Sequence, residues 1–257
     1  MAPMRHLLII DPQVDFCDPD GSLYVEGAYE DMARLSVFVE KTEMDRITVS
    51  LDTHTKHHIA HASAWLDEHG LHPKPFTMIS KVDVRHGLWK SPIFGAWADE
   101  YCERLEERGK KLVIWPDHCL IGSQGASVVP RLYTALNNWQ ERTHRDIAWL
   151  SKGINTRTEH YSAIKPEVIE SEWSPSEELL ELAKADEIIV AGEALSHCVA
   201  ETVRDLIEAG NIAAKKIILL TDATSPVGGF EEIATMFRKE MDGKGMLTSK
   251  TDYLYRS

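Results

Sequence analysis

Six side chains able to move a proton, attack a carbonyl or hold a metal ion stand just beyond short apolar runs of this sequence. They are Asp11 after Leu7-Leu8-Ile9-Ile10, Asp52 and His54 after Ile47 to Leu51, His118 after Leu112-Val113-Ile114, Lys152 after Ile147 to Ser151, and Cys198 after Ile188-Ile189-Val190-Ala191. If the apolar runs are strands of an open parallel sheet, their carboxyl ends border the crevice in which ligands bind, and all six meet at one edge. Each has a plainer reading when taken singly. Asp11 can be a turn former before Pro12, Lys152 a solvated charge at a strand end, and Cys198 a small buried hydrophobe.

The surroundings of Cys198 favour chemistry. The stretch Gly192-Glu193-Ala194-Leu195-Ser196-His197-Cys198-Val199 runs from a strand through a tight turn into a helical pattern that continues to Glu208. A cysteine at a helix N-terminus meets unpaired backbone N–H groups and the positive end of the helix dipole. Both favour thiolate over thiol, and the same N–H groups can receive a developing oxyanion.

A second constellation is Asp52-Thr53-His54, followed by His57, His58 and His61, with His118 in Trp115-Pro116-Asp117-His118-Cys119. Residues two apart on an extended segment face the same way. Asp52 and His54 can therefore offer a carboxylate oxygen and an imidazole nitrogen to one ion, and a third ligand from a neighbouring strand end leaves room for water or substrate, as in open catalytic metal sites. Polar surface is the plain reading of a His-rich loop and is assigned here to at least one of His57 and His61; His58 stays open, as a group just outside the ligands.

These residues need a scaffold, and the chain alternates short apolar runs with amphipathic stretches from end to end, the pattern of a parallel sheet covered by helices on both faces. Strands are expected at His6–Ile10, Arg46–Leu51, Lys111–Ile114, Ile147–Ser151, Glu187–Ala191 and Lys216–Leu220. Helices are expected at Tyr29–Lys41, Phe94–Arg108, Val128–Glu141, Ser176–Ala185, Val199–Glu208 and Phe230–Met241, the second started by Ser91-Pro92. The reading is a three-layer αβα fold with a six-stranded, mainly parallel, doubly wound sheet. Residues 1–257 read as one domain with a lid or insertion segment at about 65–110, within which Trp65 to Trp89 fits neither period and reads as a lid or an oligomer contact.

Bulk properties exclude several classes. With 28 Lys and Arg against 41 Asp and Glu, the net charge of −13 repels phosphate backbones and anionic lipid surfaces, so neither nucleic acid nor membrane is an expected partner. The early apolar stretch is too short for a signal sequence, and a cytoplasmic location is expected. The four cysteines, Cys17, Cys102, Cys119 and Cys198, form no CxxC pair and read as reduced thiols.

The motifs Leu8-Ile9-Ile10-Asp11-Pro12-Gln13-Val14-Asp15-Phe16, Ser50-Leu51-Asp52-Thr53-His54 with His58-Ile59, Trp115-Pro116-Asp117-His118-Cys119 and Gly192 to Val199, with Ser151-Lys152-Gly153 and Glu159 to Ala163 between the last two, resemble in order and spacing the nicotinamidase branch of the isochorismatase-like cysteine hydrolases. The resemblance runs from His6 to about Pro226. It implies a catalytic triad of Asp11, Lys152 and Cys198, an oxyanion hole from the amides of Ala194 and Cys198, and a cis peptide between Glu193 and Ala194. It also implies one divalent metal on Asp52, His54 and His118, with Zn2+ the first choice and Fe2+ or Mn2+ compatible, that binds the pyridine nitrogen of the substrate. Phe16, Trp115, Glu193, Ala194 and His197 would line the substrate site, with His58 beyond the metal ligands. The reaction implied is hydrolysis of nicotinamide to nicotinate and ammonia, a step of pyridine nucleotide salvage leading to NAD, by a small-molecule enzyme that forms dimers or larger homo-oligomers.

Departures from the family pattern bear on the substrate. Leu195-Ser196-His197 stands where Thr-Asp-Tyr is common, and Thr53 replaces a frequent Trp. A related cysteine hydrolase acting on another small amide or carbamoyl compound is one alternative, and a non-catalytic metal-dependent ligand-binding protein is another. Vinyl ether hydrolases of the same fold usually lack the cysteine.

Overall fold

The computed structural model describes residues 3–170 and 172–254. Strands β1 (Arg5–Ile10), β2 (Arg46–Asp52), β3 (Met78–Ile79), β4 (Leu112–Val113), β5 (Ala148–Lys152), β6 (Glu187–Gly192), β7 (Ile217–Leu220) and β8 (Leu247–Ser249) form two sheets. The larger has six strands in the order β5-β2-β1-β6-β7-β8, and every neighbouring pair is parallel.

Five of the expected strands lie in this sheet, and the apolar run at Lys111–Ile114 does not. Only Leu112 and Val113 are strand, and they pair antiparallel with β3 in a separate two-stranded sheet. The sixth strand of the main sheet is β8, a half-exposed edge strand of Leu247-Thr248-Ser249 with no apolar run to announce it. A short edge strand paired on one side needs little apolar surface, which is why periodicity misses it.

Strand β1 explains how the layers form. Leu7 and Ile9 point into one core with Phe38, Trp65, Tyr101 and Trp139, while Leu8 and Ile10 point into the other with Leu206, Phe237 and Met241. Alternate residues of a strand face opposite sides, so an unbroken apolar run demands cover on both. Helices Ala28–Lys41, Ala96–Glu107, Pro130–Thr143, Glu177–Lys184, Cys198–Glu208 and Glu231–Gly243 match the expected helices within a few residues at each end. Ser91-Pro92 begins a turn ahead of its helix: the Ser91 hydroxyl accepts the Phe94 amide at 3.1 Å and donates to the Ala64 carbonyl at 2.7 Å. Among the described residues no helix is long and apolar enough to cross a membrane.

The order of strands also fixes the crevice. From β1 the chain steps outward to β2 and later to β5, then returns to the other side of β1 with β6, so winding reverses between β1 and β6. Ligands bind at such a switch point because the loops leaving the two strands part there. Ile10, the last residue of β1, is paired with Gly192, the last of β6. A Cβ on Gly192 would lie 2.0 Å from the Ile10 carbonyl oxygen, and its φ is +109°, so only glycine allows this approach.

Candidate active site

Asp11 leaves β1 with φ of 44°, a left-handed conformation uncommon for a residue with a side chain. The turn brings its carboxylate, fully buried, against β2 and β5. Its Oδ1 accepts the Ser50 hydroxyl at 2.6 Å, and the Asp11 amide donates back to Ser50 Oγ at 3.1 Å. Lys152 lies directly opposite Asp52 in the β2–β5 pairing, and its buried ammonium stands 2.8 Å from Asp11 Oδ2, 3.1 Å from Asp52 Oδ1 and 3.6 Å from Cys198 Sγ. One ammonium therefore joins the carboxylate, the thiol and the Asp52 cluster.

Burial moves each of these groups. It pushes the Cys198 thiol well above its usual range, against the opposing Lys152. The helix does start at Cys198, so the sulfur stands at its N-terminus while burial works against its ionisation. Burial raises Asp11 too, opposed by Lys152 and assisted by Asp52. For Lys152 burial alone would lower the ammonium, but Asp11 and Asp52 overcome it and hold it well above its ordinary value. A carboxylate made more basic beside a neutral thiol is suited to take its proton.

The strand end of β2 is fixed by an amide. Gln13 Nε2 donates to the Asp52 carbonyl at 2.7 Å and Gln13 Oε1 accepts the Asp52 amide at 2.7 Å. Beyond it, Asp52 Oδ2 lies 3.0 Å from His54 Nε2 and 3.3 Å from His118 Nε2. His118 reaches this place although β4 leaves the main sheet, because the chain returns: the His54 amide donates to the Cys119 carbonyl and the Ile121 amide to the His54 carbonyl.

The Asp52, His54 and His118 set fits a metal ion on two grounds. His118 Nδ1–H donates to the Pro116 carbonyl at 2.8 Å, which leaves the Nε2 lone pair facing the Asp52 oxygen. Asp52 is held well below the usual carboxylate range: burial would raise it, and His54 and Lys152 override that. A lone pair and an anion in contact are repulsive unless a proton or a cation lies between them, and orientation of a ligand imidazole through its other nitrogen is usual. The one carboxylate and two imidazoles lie within 4.8 Å of one another in ligand atoms, as do His54, His58 and His61. His58 and His61 are fully buried beside His54, with ring centroids at 4.4 and 5.1 Å, whereas His57 is exposed. The surface reading thus holds for His57 and fails for His61.

A cavity opens over Cys198, lined by Phe16, Trp115, Ala194, His197 and His118 with Asp52 and Glu159. Trp115 and His197 meet edge to face at 5.2 Å, and Phe230 closes on His197 at 4.8 Å. Glu193, expected in the substrate site, is not among the lining residues. Its buried carboxyl turns away from the cavity, and Oε2 accepts the Ser225 amide at 3.0 Å. The Glu193–Ala194 peptide is cis.

Sequence reasoning missed Glu159, Tyr161 and Ser50. Glu159 is buried, raised by desolvation, and borders the cavity beside Asp52 and His118. The Tyr161 hydroxyl accepts the Trp115 indole N–H at 3.1 Å. Both stand in the segment after Lys152 whose match to the family was visible, but no period assigns them a direction. Residues 65–110 contribute nothing to the cavity lining among the described residues; Phe76 touches Trp115 at 5.9 Å between centroids. The segment carries a short helix, Lys81–Arg85, capped by Ser80 and Asp83.

A doubly wound parallel sheet covered by helices, with a thiol, a carboxylate and an ammonium gathered at its switch point, has the α/β isochorismatase-like fold. A scan against models of known families finds no match. The chain is nevertheless similar along most of its length to nicotinamidases. It is 25% identical over 240 residues to the nicotinamidase of Saccharomyces cerevisiae, covering 93% of this chain and 95% of that one. The solved structure of the yeast enzyme superposes with a TM-score of 0.69 at 23% identity, over 95% and 99% of the two chains. The PnC1 protein of L. infantum in complex with nicotinate gives 0.63 at 22% identity over 98% and 95%. The pyrazinamidase of Pyrococcus horikoshii in complex with zinc gives 0.59 at 19% identity over 96% and 99%.

Proposed function

We propose that this chain is a nicotinamidase-type amidohydrolase that cleaves nicotinamide to nicotinate and ammonia through a thioester on Cys198. The observation that carries the reading is the Lys152 ammonium, 2.8 Å from Asp11 and 3.6 Å from the Cys198 sulfur, buried beneath an aromatic cavity.

Asp11 takes the thiol proton as the sulfur bonds to the amide carbon, and the carbonyl oxygen becomes an oxyanion. The amides of Ala194 and Cys198 receive it; the turn's own backbone bonds use the amides of Glu193, Leu195, His197 and Val199. When the oxyanion collapses the carbon–nitrogen bond breaks, and Asp11 returns the proton to the leaving nitrogen as ammonia. Water then attacks the thioester, Asp11 accepts one of its protons, the carbon–sulfur bond breaks, and Asp11 passes that proton to the departing thiolate, which restores both groups. Lys152 keeps Asp11 anionic between proton transfers and stabilises the thiolate.

Phe16 and Trp115 give a flat heteroaromatic ring two faces to pack on, and His197 bounds it at the turn. Asp52, His54 and His118 would hold one divalent ion, Zn2+ by preference, which when bound supplies a Lewis acid for a pyridine nitrogen. The zinc complex of the P. horikoshii relative and the nicotinate complex of the L. infantum protein support this reading. The reading extends to pyridine nucleotide salvage by a homo-oligomer in the cytoplasm.

The test is ammonia release from nicotinamide by metal-loaded protein. Release that disappears in Cys198→Ala supports the reading, and release unchanged in that variant rejects Cys198 as nucleophile. A wild-type sample that releases none rejects nicotinamide as substrate, and benzamide or a small carbamoyl compound is then the next amide to assay.

A further inference from the structure

The turn that bears the proposed oxyanion amides is held from behind by two buried acids on one serine. Glu193 is fully buried, its Oε2 accepts the Ser225 amide, and its Oε1 has no donor among the described residues. The same serine holds a second carboxyl, that of Asp31, 2% exposed, on helix Ala28–Lys41. Asp31 Oδ2 accepts the Ser225 hydroxyl at 2.6 Å and its Oδ1 accepts Arg34 at 2.6 Å. The Ser225 carbonyl in turn accepts the Leu195 amide at 2.8 Å, and the Ser196 hydroxyl accepts the Val227 amide at 3.0 Å.

The charges facing this pair do not balance if both acids are ionised. Helix Ala28–Lys41 supplies Asp31 and the single cation Arg34, whose side chain is 43% exposed. The segment Val14–Cys17 supplies only the Cys17 thiol, which burial holds neutral. The 223–227 loop supplies Ser225 alone. Two carboxylates held on one serine out of water, served by one partly solvated guanidinium, are resolved by a proton on one of them. Arg34 and the Ser225 hydroxyl both serve Asp31, so the proton belongs on Glu193.

We propose that Glu193 is a positioning residue for the Ala194–Cys198 turn, acting as a neutral acid that donates its proton to Asp31 and so ties the turn to helix Ala28–Lys41. Burial, followed by the charge of Asp31, drives Glu193 well above the ordinary carboxyl range, in keeping with this assignment. The proposal deepens the amidohydrolase reading, because the turn matters to catalysis only if its amides meet the oxyanion. Loss of the Glu193 proton would set two anions against each other across Ser225 and displace the turn.

The experiment compares wild type with Glu193→Gln and Glu193→Ala. Infrared difference spectra at neutral pH are expected to show the carbonyl stretch of a buried protonated acid in wild type and not in Glu193→Gln. Gln keeps the donor and acceptor, so it rescues kcat to within about twofold at neutral pH and removes the alkaline decline that ionisation of Glu193 imposes. Ala is expected to lower kcat about tenfold with KM unchanged, less than the roughly 10²- to 10³-fold of a removed oxyanion donor because the amides shift and are not lost.

Stability supplies a readout that needs no substrate. A carboxyl raised on folding contributes most below its unfolded value near 4.5 and loses that contribution as pH climbs toward the folded value. Wild type must therefore lose Tm relative to Glu193→Gln as pH rises from about 5 to 9. Absence of the acid band, or coincident pH dependence of Tm in the two proteins, overturns the proposal even if nicotinamide is hydrolysed. An acid band that vanishes in the Gln variant upholds it even if nicotinamide proves to be the wrong amide.

Discussion

Replacing Lys152 by Met tests the electrostatic frame of the site. The side chain is 1% exposed and its ammonium is the cation shared by Asp11 and Asp52 at 2.8 and 3.1 Å. Methionine fills similar volume and leaves both carboxylates unneutralised in a desolvated place. Removal of one partner from a buried ion pair costs about 3–5 kcal/mol. At about 1.4 kcal/mol per tenfold, the same loss felt in the transition state lowers kcat/KM by roughly 10² to 10⁴.

The pH dependence gives the sign. Asp11 is already raised by burial, and without Lys152 it rises further and takes up a proton. A group raised on folding stabilises below its unfolded value and ceases to do so as pH passes the folded value, so Lys152→Met should be least impaired near pH 5 and most impaired near pH 8. Urea unfolding at both values, with unchanged m, measures this directly. A loss below about 1 kcal/mol, or one equal at the two pH values, would refute the claim that Lys152 neutralises two buried anions.

Three further outcomes are expected. Ser50→Ala removes the 2.6 Å hydrogen bond that lowers the proton affinity of Asp11, so the acid limb of the pH profile of kcat/KM should move to higher pH. Dialysis against a chelator should abolish ammonia release and readdition of Zn2+ restore it, while Asp52→Asn should retain less than a tenth of the wild-type ion by metal analysis. Trp115→Ala opens one wall of the cavity and should raise KM about tenfold or more with a smaller effect on kcat, which steady-state kinetics will separate.

The sheet was legible where burial on both faces forces an unbroken apolar run, as in Leu7 to Ile10 and Ile188 to Ala191. It was illegible at β8, whose exposed edge carries no such run, and at Leu112–Val113, where an apolar run of the right length joins another sheet. End-of-strand position places Asp11, Asp52, His54, Lys152 and Cys198 together, because side chains leaving parallel strands share one crevice, whereas His118 follows a strand of the smaller sheet and joins them only because its loop returns to His54. It could not orient Glu193, since the side on which a turn residue leaves depends on backbone angles that residue type does not dictate. Nor could it separate His57 from His61: both are histidines in one polar stretch, and only the packing of His54 against the second distinguishes them.

The amide of Gln13 prolongs the sheet past the point where backbone can do so. After Ile10 the chain turns away at Asp11 and Pro12, and a side chain with one donor and one acceptor takes the next rung against Asp52. The separation of the two acidic strand ends is thereby set by a rigid planar group and not by loop conformation. Glutamate would present an acceptor to a carbonyl and asparagine would fall short, so few residues at this position can keep the two halves of the crevice in step.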